Sequence, residues 1–333
     1  MMGWKWQMLA ALALCMGTAS ARVIESPAHE LKSKWTTLVS GVVAEPATED
    51  RLTLTDVESL SVRQATTTEL VIRAPAWMVA SLSKGDRVIA AYLTVRRDPT
   101  LTDRRIVDPK GPRLLVTSGL EPALFRDNAI TRQRLLDGDG KVRLPELTEV
   151  VSGLQDADPQ WQNYYANELA IRADLRDAVD AQALQSIEAV LRNRDLHASA
   201  RAALFRAVPQ FPAADANWWQ VAANEALQQL PTSLTPSPTD TSADLVRAVF
   251  ELFAAQAVPP DPVGVERWVT CAVPALVESS LLVTRQFHPA REDALIAQAL
   301  VQTFLPPATR SFLLDHDRRL KIMREALARR DAQ

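Results

Sequence analysis

The chain has 333 residues, 37 of them basic and 40 acidic, and a formal net charge of −3. A balance so near neutral excludes the basic excess that marks most nucleic-acid-binding chains. Its two cysteines, Cys15 and Cys271, leave one thiol once a leader is removed, so no internal disulfide is available and a buried core has to carry the fold.

Residues 1–7 hold a single charge, Lys5, residues 8–16 are apolar, and Gly17, Thr18, Ala19, Ser20 and Ala21 are small. That order predicts a secretory signal peptide cut after Ala21. The apolar run is shorter than the about 20 residues that cross a bilayer. Leu12-Ala13-Leu14-Cys15 resembles a lipobox, but Leu14 stands where that motif has a small residue, so cleavage is the preferred reading. Without Lys5, 36 basic and 40 acidic residues remain, a net of −4. Arginine outnumbers lysine and alanine is abundant, as in GC-rich bacterial genes. The expected location is the periplasm or the medium, with no nucleic-acid partner. The best later candidate for a membrane span, 269–283, is interrupted by Pro274 and Glu278.

Residues 22–118 read as a β-rich domain. Strands are expected at 37–43, 52–55, 69–73, 87–96 and 113–117, rich in Val, Ile, Leu and Thr and separated by turn residues. A short helix, 76–82, and the turn Ser83-Lys84-Gly85-Asp86 precede the strongest strand. There Val88, Ala90, Tyr92 and Thr94 share one face, and Ile89, Ala91, Leu93 and Val95 the other. Two apolar faces predict a central strand. Five strands in some 80 residues suggest a small barrel, OB-like being one topology.

Residues 119–158 read as a junction, with helices expected at 130–136 and 145–154. From 159 to 333 the period is helical. Asp158-Pro159 is a helix start. Tyr165, Leu169 and Arg172 follow at helical spacing, then Leu184, Ile187, Val190 and Leu191, then Leu196, Ala200, Leu204 and Val208. Later faces are Leu245, Val249 and Leu252, then Leu295, Ala299 and Leu300, then Leu320, Met323 and Leu327. The Pro/Ser/Thr-rich stretch 231–242 is expected to be a flexible loop. It is either a domain boundary or, preferably, an insertion within one helical domain. The expected fold class is therefore α+β: a small barrel-like β-domain, then an all-α array, either a solenoid or an irregular bundle.

Ala200-Arg201-Ala202-Ala203, Val246-Arg247-Ala248-Val249 and Ala290-Arg291 resemble the start of the second helix in HEAT-type repeats. That resemblance implies a solenoid with a free concave surface and a binding role. Asp137-Gly138-Asp139-Gly140 through Glu146 is similar to the later part of an EF-hand calcium loop. The resemblance puts Asp137, Asp139 and Glu146 at carboxylate ligand positions and Gly140 at the sharp turn, with Leu135 where the family has its first Asp. The competing reading is a surface turn built from Asp and Gly. Ser81-Leu82-Ser83-Lys84 matches the Ser-x-x-Lys of penicillin-binding enzymes, without that family's other motifs.

His288 with Glu292, and His316 between Asp315 and Asp317, lack further ligands at a zinc-binding spacing. Cys271, in an apolar run, is expected to be a buried thiol, and of Trp218-Trp219 one ring core and one a cover. The terminal cations from Arg318 to Arg330 read as the solvated face of the last helix. Together these features predict a non-enzymatic binding or scaffold protein of the bacterial envelope whose partner is another envelope protein. The alternative is an exported hydrolase whose site is assembled from distant residues.

Overall fold

The computed structural model describes residues 24–45, 50–60, 68–97, 105–119, 121–213, 215–234 and 241–331. The expected signal peptide and the centre of the Pro/Ser/Thr-rich stretch lie outside them. The described part is mixed, with an N-terminal sheet and C-terminal helices.

Helix α1 (Pro27–Lys32) leads into strand β1 (Thr36–Val43), followed by β2 (Arg51–Ser59), β3 (Glu69–Arg73), the single turn α2 (Ala76–Val79), β4 (Arg87–Leu93), β5 (Val95–Arg97), β6 (Arg105–Val107), β7 (Arg113–Leu114) and β8 (Leu124–Arg126). β1 pairs antiparallel with β2 on one edge and with β4 on the other. β2 pairs antiparallel with β3, β3 meets β7 in parallel at Arg73 and Arg113, and β7 returns antiparallel to β4. The pairings therefore run as a ring, β1-β2-β3-β7-β4 and back to β1, with β8 on the first half of β4. The register of β1 shifts between Ser40 and Val42, which bends the strand. Gly41 lies at that shift, where a Cβ would stand 3.0 Å from Leu54 Cβ.

β4 is apolar on both faces, and both are covered. Val88, Ala90 and Tyr92 join Val39, Val43, Leu52, Leu54, Leu70 and Ile72 inside the ring, closed by Val79 of α2. Ile89, Ala91 and Leu93 join Leu38, Phe125 and the helices in a second, larger core.

Two expected strands are shorter than their apolar runs. The run 87–96 breaks at Thr94, and Val95–Arg97 turns away to pair with β6. Of 113–117 only Arg113–Leu114 is strand, and Val116 makes a lone bridge to Pro122.

The helices are α3 (Ala129–Leu135), α4 (Leu147–Gly153), α5 (Pro159–Ile171), α6 (Ala173–Asp177), α7 (Ala181–Arg192), α8 (Ala198–Ala207), α9 (Gln220–Gln229), α10 (Ser242–Gln256), α11 (Pro262–Glu266), α12 (Pro274–Phe287), α13 (Glu292–Leu300) and α14 (Pro307–Asp331). Their starts follow ordinary capping: Asp158, Asp180 and Asp261 each accept a backbone N–H of the helix they open. Pro274, expected to interrupt a span, opens α12.

The helices pack in hairpins: α4 with α5, α7 with α8, α9 with α10, α11 with α12, and α13 with α14. Each second helix packs on the next second helix, in the order α5, α8, α10, α12, α14. The first helices follow suit, α4 on α7, α7 on α9 and α9 on α11, with α13 on the 3-10 turn Arg267–Thr270 that follows α11.

Candidate functional site

Helix α5 joins the sheet, α1 and the hairpins, and it is buried along its middle on all sides. Gln162, Asn163, Asn167 and Glu168 are as buried there as Trp161, Tyr164, Tyr165 and Leu169. Buried amides and carboxylates need partners at once. α5 finds them in three directions.

The first direction is aromatic. The Phe125 ring of β8 stacks on Trp161 at 5.1 Å between centroids, and Tyr164 meets Trp161 edge-on at 5.3 Å. The Arg134 guanidinium lies 4.9 Å from the Trp161 ring. Tyr165 donates its hydroxyl to Glu149 Oε1 at 3.0 Å, and Arg143 holds the same carboxylate through both terminal nitrogens. Burial raises the pKa of both tyrosine hydroxyls, so they stay protonated.

The second direction is towards residues 117–119 and Glu121. Gly119 has φ +96 and brings its backbone against Asn167, leaving no room for a Cβ. Asn163 Nδ2 donates to the Gly119 carbonyl at 3.4 Å, and Asn163 Oδ1 accepts from Asn167 Nδ2 and Ser199 Oγ, both at 2.9 Å. Gln160 Nε2 donates to the carbonyls of Pro122 and Leu124. His197 N donates to Gln162 Oε1 at 2.9 Å, and burial lowers the pKa of the His197 ring. Burial raises the carboxyl of Glu121, while its hydrogen bond with Asn163 pulls the other way. Between these groups lies a cavity of about 10 Å3, lined by Ser118, Glu121, Phe125, Asn163 and Tyr164 among others. Ser118 Oγ and Tyr164 OH are both enclosed without a protein partner. The space suits one water molecule and is far too small for an organic substrate.

The third direction is the start of the described chain. Glu168, fully buried, accepts Ala28 N at 2.5 Å and Ser26 Oγ at 3.1 Å, with Arg172 Nη1 at 3.4 Å. Burial raises its pKa against those bonds. Ser26 Oγ also lies 2.9 Å from His29 Nδ1, and Glu30 Oε2 of α1 accepts Ser118 N at 2.8 Å.

A serine, an imidazole and a carboxylate thus meet at Ser26, but in the wrong order for nucleophilic catalysis. Hydrolytic triads place the imidazole between serine and carboxylate, so that it takes the serine proton. Here the serine lies between the other two. With its proton donated to Glu168, Ser26 Oγ must accept from His29 Nδ1–H, and that nitrogen cannot act as the base. Chemically the arrangement fastens α1 onto α5, with a carboxylate receiving the first free backbone N–H of the helix, that of Ala28.

The carboxylates singled out by sequence do not converge. Asp137 Oδ1 accepts the backbone N–H groups of Asp139 and Lys141, at 3.0 and 2.9 Å, inside a tight turn closed by Asp137 N to Lys141 O. Asp139 pairs with Lys141 at 3.6 Å, and Glu146 precedes α4 without capping it. His316 and Glu292 do meet, at 3.1 Å, but Arg285 Nη2 lies 2.6 Å from the same carboxylate, where a metal would have to sit. Among the described residues no group of three or more His, Cys, Asp or Glu side chains could hold a metal ion. Ser81 and Lys84 are exposed in the turn after α2. Cys271 is buried, and burial raises its thiol pKa.

Sequence reasoning missed α5 as a junction. The signal was present in Trp161-Gln162-Asn163-Tyr164-Tyr165-Ala166-Asn167-Glu168, where amides alternate with aromatics on every side of one helix. No protein-family model, curated protein or solved structure matches this chain.

Proposed function

We propose that this chain is an exported, non-enzymatic binding or scaffold protein of the bacterial cell envelope. A closed OB-like barrel would form one end, and a two-layer helical solenoid the body. The ring of strand pairings, with its parallel β3–β7 step, supports the barrel. The solenoid rests on one observation: successive second helices pack on each other while the first helices form a matching layer. Such a stack buries each hairpin only against its neighbours and leaves long surfaces for a partner. The chemistry around α5 supports the same reading, because it joins the two parts around a cavity with room for one water molecule.

The partner expected is another envelope protein, bound along the second helices. In-cell photo-crosslinking tests this from Arg247 on α10 and Leu282 on α12, both exposed, with Glu188 on α7 as a first-helix control. Discrete adducts from the second-helix positions and none from the control are expected. Adducts from neither layer, or recovery of the chain from the cytosol with residues 1–21 attached, would overturn the reading.

A further inference from the structure

We infer that three arginines in one row of the sheet, Arg51, Arg73 and Arg113, form a binding site for a diphosphate group. Arg51 of β2 stands directly opposite Arg73 of β3, and Arg73 opposite Arg113 of β7. Their chain neighbours Leu52, Ile72 and Leu114 point inside the ring of strands. Side chains alternate along a strand, so the three arginines share the outer face. Leu93 of β4, the next residue in the row, is covered by the helices, whereas Arg51 and Arg113 are exposed.

Like charges directly opposite one another weaken a strand pair. Here two such oppositions follow in succession. Asp108 is the one carboxylate paired with the row among the described residues, 2.7 Å from Arg73 Nη2. The Lys110 N–H, then Arg73 and Arg113, hold its carboxyl below the ordinary range. Asp50, beside Arg51 in the chain, is turned to Ala76 N at 2.9 Å, and Glu69 lies four residues back along β3, opposite Thr55. Arg73 Nε is enclosed with no acceptor, and Lys110 adds an exposed ammonium group next to Asp108 in the chain. Four cations therefore stand around one carboxylate, at a cost to the sheet that an anionic ligand would offset. The width of the row says which anion fits. Adjacent strands lie about 4.8 Å apart, so the Cα atoms of Arg51 and Arg113 are separated by about 10 Å with Arg73 between them. A guanidinium takes phosphate oxygens in pairs. One phosphate engaged by Arg51 leaves Arg113 idle, whereas two joined phosphates present oxygens to both ends of the row.

Isothermal titration calorimetry of the full chain with inorganic pyrophosphate tests this. Binding is expected at low salt with a Kd on the order of 100 micromolar, weakening as salt rises. Orthophosphate should bind about tenfold more weakly. Arg51→Gln and Arg113→Gln should each weaken pyrophosphate binding about tenfold. The melting temperature of the free chain should hold or rise in both, because each removes a like-charge opposition. Lys84→Gln and Arg126→Gln, exposed cations outside the row, are controls expected to bind like the parent. A parent chain that takes up no pyrophosphate, orthophosphate binding as tightly, row variants that bind like the parent, or controls that lose as much as the row variants overturn the proposal. Retention on vesicles of anionic phospholipid that pyrophosphate does not displace would assign the row to a membrane surface and overturn it too.

Discussion

Arg201 reaches back ten residues to the carbonyl of Leu191. Its Nε and Nη2 lie 3.0 and 2.7 Å from that oxygen, and the whole side chain is buried between α7 and α8. Burial pulls the pKa of the guanidinium down to about 10, still charged at neutral pH. Arg310 does the same at the last hairpin, donating to Leu300 at 2.8 Å and to Gln302 at 2.6 Å. Both arginines satisfy carbonyls at the C-terminal end of the preceding helix, where a cation is favoured. Of the three arginines in the segments that resemble HEAT starts, Arg201 alone works this way. Arg247 is exposed and pairs with Asp244, and Arg291 pairs with Glu266.

Arg201→Ala should cost about 3 kcal/mol, because it leaves a buried carbonyl without a donor and opens a cavity. Arg310→Ala, half exposed, should cost about 1 kcal/mol. Urea unfolding of the two variants checks the contrast, and equal losses would refute the account of Arg201.

Trp161→Ala should cost about 3–5 kcal/mol. It removes the ring that Phe125, Tyr164, Tyr165 and Arg134 all touch. Phe125 belongs to the sheet and Tyr165 to the helices, so the variant should loosen both parts. Thermal melting followed by near-ultraviolet circular dichroism reads it; a loss under about 1 kcal/mol would mean the stack is not the joint.

Asp127 sets an acid limit. Bonds from Arg132 at 2.7 and 2.8 Å and from Ser40 at 2.5 Å, with Arg87 nearby, hold its carboxyl at about 2 against an ordinary 3.8. A lowered folded-state value means that the stabilisation is present above pH 4 and is lost as pH falls towards 2. It amounts to about 2 kcal/mol. Asp127→Asn should therefore be less stable than the parent at pH 6 by that amount, and nearly equal to it near pH 2. Glu121 and Glu168, raised by burial, act with the opposite sign and lose their contribution as pH rises. Denaturant midpoints across that range decide, and a difference independent of pH would contradict the assignment.

Asp137→Ala should cost about 1 kcal/mol, because two backbone N–H groups of its own turn lose their acceptor. The loss should be the same in calcium and in chelator. A melting temperature of the parent chain that rises with calcium, and an effect of the variant confined to calcium, would support the ion-site reading instead.

Much of the fold is legible in the chain where one physical signal acts alone. β4 shows its two apolar faces in plain alternation, and Asp158-Pro159 announces α5. Of the tryptophan pair, Trp219 is core and Trp218 a cover whose ring meets Phe211, as expected from size and chemistry. β6 and β8, three residues each, are too short to show a period. The junction at α5 is illegible for another reason. Asn163 and Glu168 read as solvent-facing by type, but partners 36 to 142 residues away hold them in the interior, and Asn167 bonds to Asn163 beside them. The stacking order of the hairpins is likewise a property of contacts between elements, which no single amphipathic stripe records.

The double-sided burial of β4 has a consequence for anyone excising the first third of the molecule. Cut free at residue 118, that fragment would keep Val88, Ala90 and Tyr92 enclosed but bare Leu38, Ile89, Ala91 and Leu93 as one greasy flank. It should clump on expression unless the flank is repainted with polar residues.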